Sequence, residues 1–203
     1  MWSAELLRAR FALVDLPWQP EPLEERFFKD RDPAEAAVLV PLVQREDGLH
    51  VLLTLRTAHL NDHAGQISFP GGRCEPEDGT PVETALRETV EETGLARDYI
   101  EVLGTLPVYQ TATNFLVTPV VALIQPGFQL QPDTFEVEEV FEVPFSFLMD
   151  VANHQQRSLH TPLGERIFYA MPYDSPSTKK NYFIWGATAA MLRNLYHFLH
   201  AKA

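Results

Sequence analysis

One cysteine, Cys74, is all the thiol in this 203-residue chain, which excludes an intrachain disulfide framework and any zinc site built only of thiolates. A reducing compartment fits that usage. Long apolar runs are also missing. None approaches the roughly 20 residues a membrane helix needs, and Glu5, Arg8 and Arg10 interrupt the N-terminus where a signal peptide carries its apolar core. These absences predict a soluble, cytoplasmic protein with no membrane partner. Basic residues are few: 16 Lys and Arg stand against 28 Asp and Glu, for a net charge of −12. That balance argues against nucleic acid as a partner, because its phosphate backbone is held by positive charge. Any phosphate-rich ligand would need a metal or a local basic pocket. No H-E-x-x-H, G-x-S-x-G, Walker loop or G-x-G-x-x-G occurs, nor any internal repeat. With 45% hydrophobic and 22% charged residues, the chain reads as one domain over 1–203, its core about 34–170, with helical additions at both ends.

Residues 2–15 are predicted as an amphipathic helix presenting Trp2, Leu6 and Phe11, stopped by Pro17 and followed by a proline-spaced arm. From Ala36, AAVLVPLVQREDGLHVLLTLR gives two apolar runs around Glu46-Asp47-Gly48, the composition of a β-hairpin. Strand-like runs return at 100–108 and 115–124. The stretch 180–202 is predicted helical, with Phe183, Ile184, Leu192, Leu195 and Leu199 as its large apolar residues. It reads as core-facing or dimer-facing, which leaves a homodimer open as a partner.

Residues 80–94, TPVETALRETVEETG, carry signals for a helix with defined ends: Thr80 as N-cap, Pro81 in the first turn, Glu83 completing a capping box and Gly94 as terminator. At about 100° per residue, Val82, Leu86 and Val90 gather with Thr89 and Thr93, while Glu88, Glu91 and Glu92 lie opposite. Clustered like charges cost a few tenths of a kcal/mol per pair, and Glu91 and Glu92 also oppose the helix dipole. Arg87 offsets part of this at i,i+4 to Glu91. The patch is either a solvated face or a binding surface for a hard divalent cation. Just upstream, Phe69-Pro70-Gly71-Gly72 is turn chemistry that brings backbone close to another group.

Gly72 through Leu95, GRCEPEDGTPVETALRETVEETGL, resembles the Nudix box, G-x5-E-x7-R-E-U-x-E-E-x-G-U, of hydrolases acting on nucleoside diphosphates linked to another group. Arg87-Glu88, Glu91-Glu92 and Gly94-Leu95 match, with Thr89 at a usually aliphatic position. The first half carries one extra residue, so either Glu77 or Asp78 replaces the first box glutamate. Residues 52–72, LLTLRTAHLNDHAGQISFPGG, resemble a further signature of the coenzyme A pyrophosphatase branch, and 136–148 and 184–189 extend the likeness over roughly 36–190. Asn61 stands where that branch usually has a basic residue.

The resemblance implies an α/β fold, a Nudix-type α/β/α sandwich with a mixed β-sheet and flanking N- and C-terminal helices. It implies Mg²⁺ or Mn²⁺ held by Glu88 and Glu92, with Glu91 and the Gly72 carbonyl as further ligands. Arg87 orients the glutamates, braced by Glu77 or Asp78. Glu91 or Glu139 is favoured as the group that takes a proton from water, with Glu136 nearby in sequence. Arg56, Phe69, Gly71 and Arg73 are expected at the substrate, with Lys179 and Lys180 as further cations. The implied reaction is cleavage of the diphosphate bridge of coenzyme A or an acyl-CoA. The alternatives are ADP-ribose, NADH or dinucleoside polyphosphates as substrates, or a non-catalytic nucleotide-binding module. His59 and His63 match the branch signature as neutral polar contacts, and Cys74 reads as an incidental thiol.

Overall fold

The computed structural model describes residues 2–13, 17–21, 32–59, 65–161 and 164–202. Its N-terminal helix α1 spans Ala4–Phe11, capped by the Ser3 hydroxyl. The helix is shorter than the sequence suggests and turned differently. Leu7 and Ala4 are buried, whereas Leu6 is 52% exposed and leaves the expected stripe; Trp2 keeps its place in it, edge-on to His200 of the C-terminal helix at 6.0 Å. Phe11 still packs there, 4.7 Å from Phe198.

The hairpin forms as the sequence indicates. Strand β1 (Ala34–Arg45) pairs antiparallel with β2 (Gly48–Arg56), and Arg45 faces Gly48 across a two-residue loop. Gly48 sits at φ 127°, a conformation that L side chains rarely adopt. Two short strands follow, β3 (Ile67–Ser68) on β2 and β4 (Gly71–Arg73) on β1. Helix α2 (Pro81–Thr93) comes next, then β5 (Ile100–Thr105), β6 (Tyr109–Gln110), β7 (Phe115–Ile124) and β8 (Val137–Pro144). β7 runs parallel to β1 over Ala34 to Val43, and the other pairings in this eight-stranded sheet are antiparallel, so the sheet is mixed.

A single turn of helix, α3 (Phe145–Leu148), leads to a second, three-stranded sheet of β9 (Gln155–Thr161), β10 (Gly164–Asp174) and β11 (Asn181–Trp185). Helix α4 (Gly186–His200) follows β11. Residues 181–185, expected within the C-terminal helix, are therefore a strand. Tyr182 and Ile184 point inward while Phe183 is 41% exposed, the period-two alternation of a pleat rather than the 3.6 of a helix.

The main sheet is covered on both faces. Ala37, Leu39 and Val43 of β1 join Leu52 and Ala85 of α2 in one core. Ala36, Val40 and Leu42 join Leu7 of α1 and Leu192, Leu195 and Leu199 of α4 in the other. Tyr182 lies flat on Phe141 of β8, ring centroids 3.8 Å apart, which fastens the second sheet to the first. Arg10 closes the N-terminal segment over α4 by donating to the Phe198 and Ala201 carbonyls at the end of that helix.

Candidate active site

Helix α2 is positioned by its ends. Thr80 accepts from the Glu83 amide at 3.2 Å, Pro81 fills the first turn, and Gly94 at φ 70° returns its amide to the Val90 carbonyl. Only half of the expected capping box forms. The Thr80 amide donates to the Asp78 carbonyl instead, which leaves the Glu83 carboxylate to pair with Arg97 at 2.7 Å.

The acidic face is not simply solvated. Glu92 is 3% exposed, Glu88 is half-buried, and among the three glutamates only Glu91 faces water. The buried side of α2 comprises Thr84, Ala85, Thr89, Glu92 and Thr93, with Val82 and Leu86 packed against the same core, so the expected apolar face forms and extends to include Glu92. The cause is β4. Gly71 and Gly72 present no side chains, so carboxylates lie against the strand where aliphatic groups would otherwise pack. A Cβ on Gly72 would run into the Glu88 carboxylate. The Gly71 amide donates to Glu92 Oε2 at 3.3 Å. Thr89, placed where an aliphatic residue is usual, satisfies its buried hydroxyl on the Ala85 carbonyl.

Arg87 organises the cluster. Its Nε and Nη2 grip both oxygens of Asp78 at 2.8 and 2.9 Å, its Nη1 reaches Glu88 and Glu91 at 3.0 Å each, and Nη2 also donates to the Arg73 carbonyl. The extra loop residue is thereby assigned: Asp78 braces the arginine, and Glu77 is exposed. Asp78 accepts further from the Glu75 amide and the Thr84 hydroxyl, and the Arg87 guanidinium above all holds its carboxyl well below the usual carboxylate range. Burial acts oppositely on the other two acids. It raises the Glu88 carboxyl against the pull of Arg87, and it pushes Glu92 up to about 7 despite Arg56 and the Gly71 amide.

Arg56 lies between the elements. Its Nη1 meets Glu92 at 3.1 Å and its Nη2 stands 3.8 Å from Glu136, which precedes β8. Glu136 thus belongs to the cluster, and its charge raises both Glu88 and Glu92. Glu139 does not. It pairs in register with Leu55, which packs in the core away from α2, and it is engaged by Lys180 Nζ at 2.7 Å and the Tyr182 hydroxyl at 2.8 Å. Glu136 precedes β8 and stands beside Arg56, whereas Glu139 lies within the strand, beyond the register shift between Leu55 and Arg56, and the contacts of the two glutamates differ accordingly. Lys180 is accordingly spent on Glu139.

Beyond the glycine strand opens a cavity of about 540 Å³ between the main sheet and the three-stranded sheet. Arg56, Phe69, Gly71, Gly72 and Arg73 all line it, so the residues expected at the substrate come together. Arg73 lies 5.2 Å over the Phe115 ring. Asn61 and His63 lie outside the described residues. His59 meets Phe135 edge-on at 4.9 Å, and Cys74 is half-buried with no disulfide.

The donor set suits a hard divalent ion. Glu88 stands among Arg87 and the charges of Glu91 and Glu136, and Glu88 and Glu92, both with raised affinity for protons, gain most from a cation beside them. Among the described residues no three acidic, histidine or cysteine side chains form a closed cage. Arg87 and Arg56 hold the carboxylates, as suits an ion bound through one or two of them plus water and substrate phosphate.

The Nudix domain pattern matches residues 33–162. The chain belongs to the Nudix family. Among its relatives, the Nudix hydrolase NudL of Shigella flexneri, described as uncharacterized, is 35% identical over 188 residues, covering 92% of this chain and 90% of that one. NudL of Klebsiella pneumoniae is 38% identical over 162 residues, 79% and 80% of the two chains. The crystal structure of the Nudix hydrolase RenU from M. smegmatis superposes with a TM-score of 0.51 and 25% identity, covering 59% of this chain and 76% of that one. α2 is thus a Nudix helix, and the protein is a Nudix hydrolase, of a family that generally uses divalent metal ions. Among the described residues no helix is long and apolar enough to cross a membrane.

Proposed function

We propose that this Nudix hydrolase cleaves the diphosphate bridge of coenzyme A or an acyl-CoA, giving 4′-phosphopantetheine and adenosine 3′,5′-bisphosphate. The observation that carries the reading is where residues 52–59 and 65–72 lie. They belong to the stretch that resembles the coenzyme A branch signature, and they deliver Arg56 to Glu92 and Gly71 and Gly72 to the face of the Nudix helix, beside the 540 Å³ cavity. A cavity of that size takes one half of a dinucleotide-sized substrate.

Glu88 and Glu92, with Glu91 and the Gly72 carbonyl, would hold Mg²⁺ or Mn²⁺. The ion supplies charge neutralisation for the diphosphate and a more acidic water. Arg87, fixed by Asp78, keeps the glutamates oriented. Arg56 is placed to offer its guanidinium to a phosphate once Glu92 has another cation beside it. Glu136 and Glu91 are the carboxylates positioned to accept the proton of the attacking water. Glu136 replaces Glu139 in that role because it shares Arg56 with Glu92.

The test is a substrate panel with product identification. Purified protein with Mg²⁺ or Mn²⁺ is given coenzyme A, acetyl-CoA, ADP-ribose, NADH and diadenosine tetraphosphate. Preferential release of 4′-phosphopantetheine is expected. Turnover of ADP-ribose or NADH without coenzyme A would discard the branch and keep the chemistry. No turnover of any diphosphate would favour a binding module.

A further inference from the structure

We propose that Arg166, with Arg73, forms a second anion subsite in the large cavity, specific for a phosphomonoester that the substrate carries apart from its diphosphate. On the coenzyme A reading, on which the identity of the ligand rests, this group is the 3′-phosphate of the adenosine. Charge gives the first indication. In a chain of net charge −12, the cavity is lined by three arginines, Arg56, Arg73 and Arg166, and by no aspartate or glutamate among the described residues. A wall with that bias selects anions.

The three cations are not equivalent. Arg56 is committed to Glu92 and Glu136 at the hydrolytic end. Arg73 comes from β4 in register with Ala36, which also lines the cavity, so it faces away from Gly72 and the Nudix helix. Arg166 enters from β10, on the opposite wall. A ligand that reaches all three needs negative charge at two separated places. Between them the lining is apolar and aromatic, with Phe115, Phe168 and Trp185, and the Phe168 and Trp185 rings meet edge-on at 5.4 Å. Such a surface accepts a flat base, and a guanidinium fork suits a phosphate. The lysines that were further candidates for this phosphate do not contribute. Lys180 is paired with Glu139, and neither it nor Lys179 lines this cavity.

Calorimetric binding of adenosine 3′,5′-bisphosphate and of AMP to the full chain tests the subsite without turnover. Wild type is expected to prefer the bisphosphate by roughly ten- to hundredfold. Arg166→Gln should abolish that preference with AMP binding unchanged, while Arg157→Gln, on the neighbouring strand outside the cavity, should retain it. Unchanged AMP affinity shows that each variant is folded. Arg166→Lys, which loses the fork and keeps the charge, should lower the preference several-fold and takes the place of Arg166→Gln if that variant does not fold. Equal binding of the two ligands by wild type, or a full preference in the Arg166 variants, overturns the subsite. Hydrolysis of coenzyme A and of its 3′-dephospho form, measured alongside, separates the subsite from the substrate. A bisphosphate preference without coenzyme A turnover keeps the subsite and discards the substrate, whereas equal turnover of both forms with no binding preference does the reverse.

Discussion

Replacing Glu92 with glutamine should stabilise the metal-free protein at alkaline pH, although it removes a buried ion pair. The carboxyl lies 3% exposed beneath the glycine strand, and burial lifts it from 4.5 to about 7. Its folded value exceeds its unfolded value, so the stability it contributes is fully present below pH 4.5 and is lost as pH rises through 7. At ~1.4 kcal/mol per unit, ionising it inside the fold costs about 3 kcal/mol at pH 8. A glutamine does not titrate. It keeps an acceptor for the Gly71 amide but gives up the charge opposite Arg56. The quantity to follow is therefore the difference in unfolding free energy between wild type and Glu92→Gln, from urea melts in EDTA. Wild type should lose about 3 kcal/mol relative to the variant between pH 4.5 and 8. Mg²⁺ added at pH 8 should restore wild type and leave the variant unchanged. A difference that does not vary with pH would refute burial as the dominant influence on this carboxyl.

Further substitutions probe separate parts of the molecule. Gly72→Ala should lower kcat/KM by roughly 100-fold with little change in melting, since the atoms nearest the new methyl are those of the Glu88 carboxylate, the far end of a side chain. Gly71→Ala, at φ 153° and against the backbone of Ala37 and Val38, should instead destabilise the fold by about 1–3 kcal/mol from backbone strain alone, read by urea melts. Glu136→Gln should reduce kcat by about 10² to 10⁴ if it takes the proton, whereas Glu139→Gln, facing Lys180 and Tyr182, should leave steady-state turnover within about threefold; the reverse pattern would return the role to Glu139. Leu7→Ala should cost about 2–5 kcal/mol in chemical denaturation, because this side chain is fully buried in the core that α1 and α4 share with the main sheet.

Where the sequence was informative, the information was local. Thr80, Pro81 and Gly94 bound α2 by themselves, and Glu46-Asp47-Gly48 made the hairpin, because caps and turns depend on a few adjacent residues. What could not be read depended on partners distant in the chain. Glu92 is buried because a strand twenty residues upstream lacks side chains, which a helical wheel does not contain. Asn181–Trp185 has a composition that serves helix or strand alike, and pairing with β10 decides it. Glu136 and Glu139 are three residues apart, and only the partners that the fold brings to them, Arg56 for one and Lys180 with Tyr182 for the other, tell them apart. Arg166 belongs to no motif, and only the folding of β10 over the main sheet brings it into the same cavity as Arg73.

Whether the reaction takes place at the Glu88 and Glu92 pair is decided by the rate of coenzyme A hydrolysis against Mg²⁺ and Mn²⁺ concentration for wild type, Glu88→Gln and Glu92→Gln. Saturable metal dependence is expected in wild type, with a loss of roughly 10³-fold or more in both variants at saturating metal. Turnover that persists in EDTA, or variants that keep wild-type rates, would contradict the placement of the chemistry at these two carboxylates.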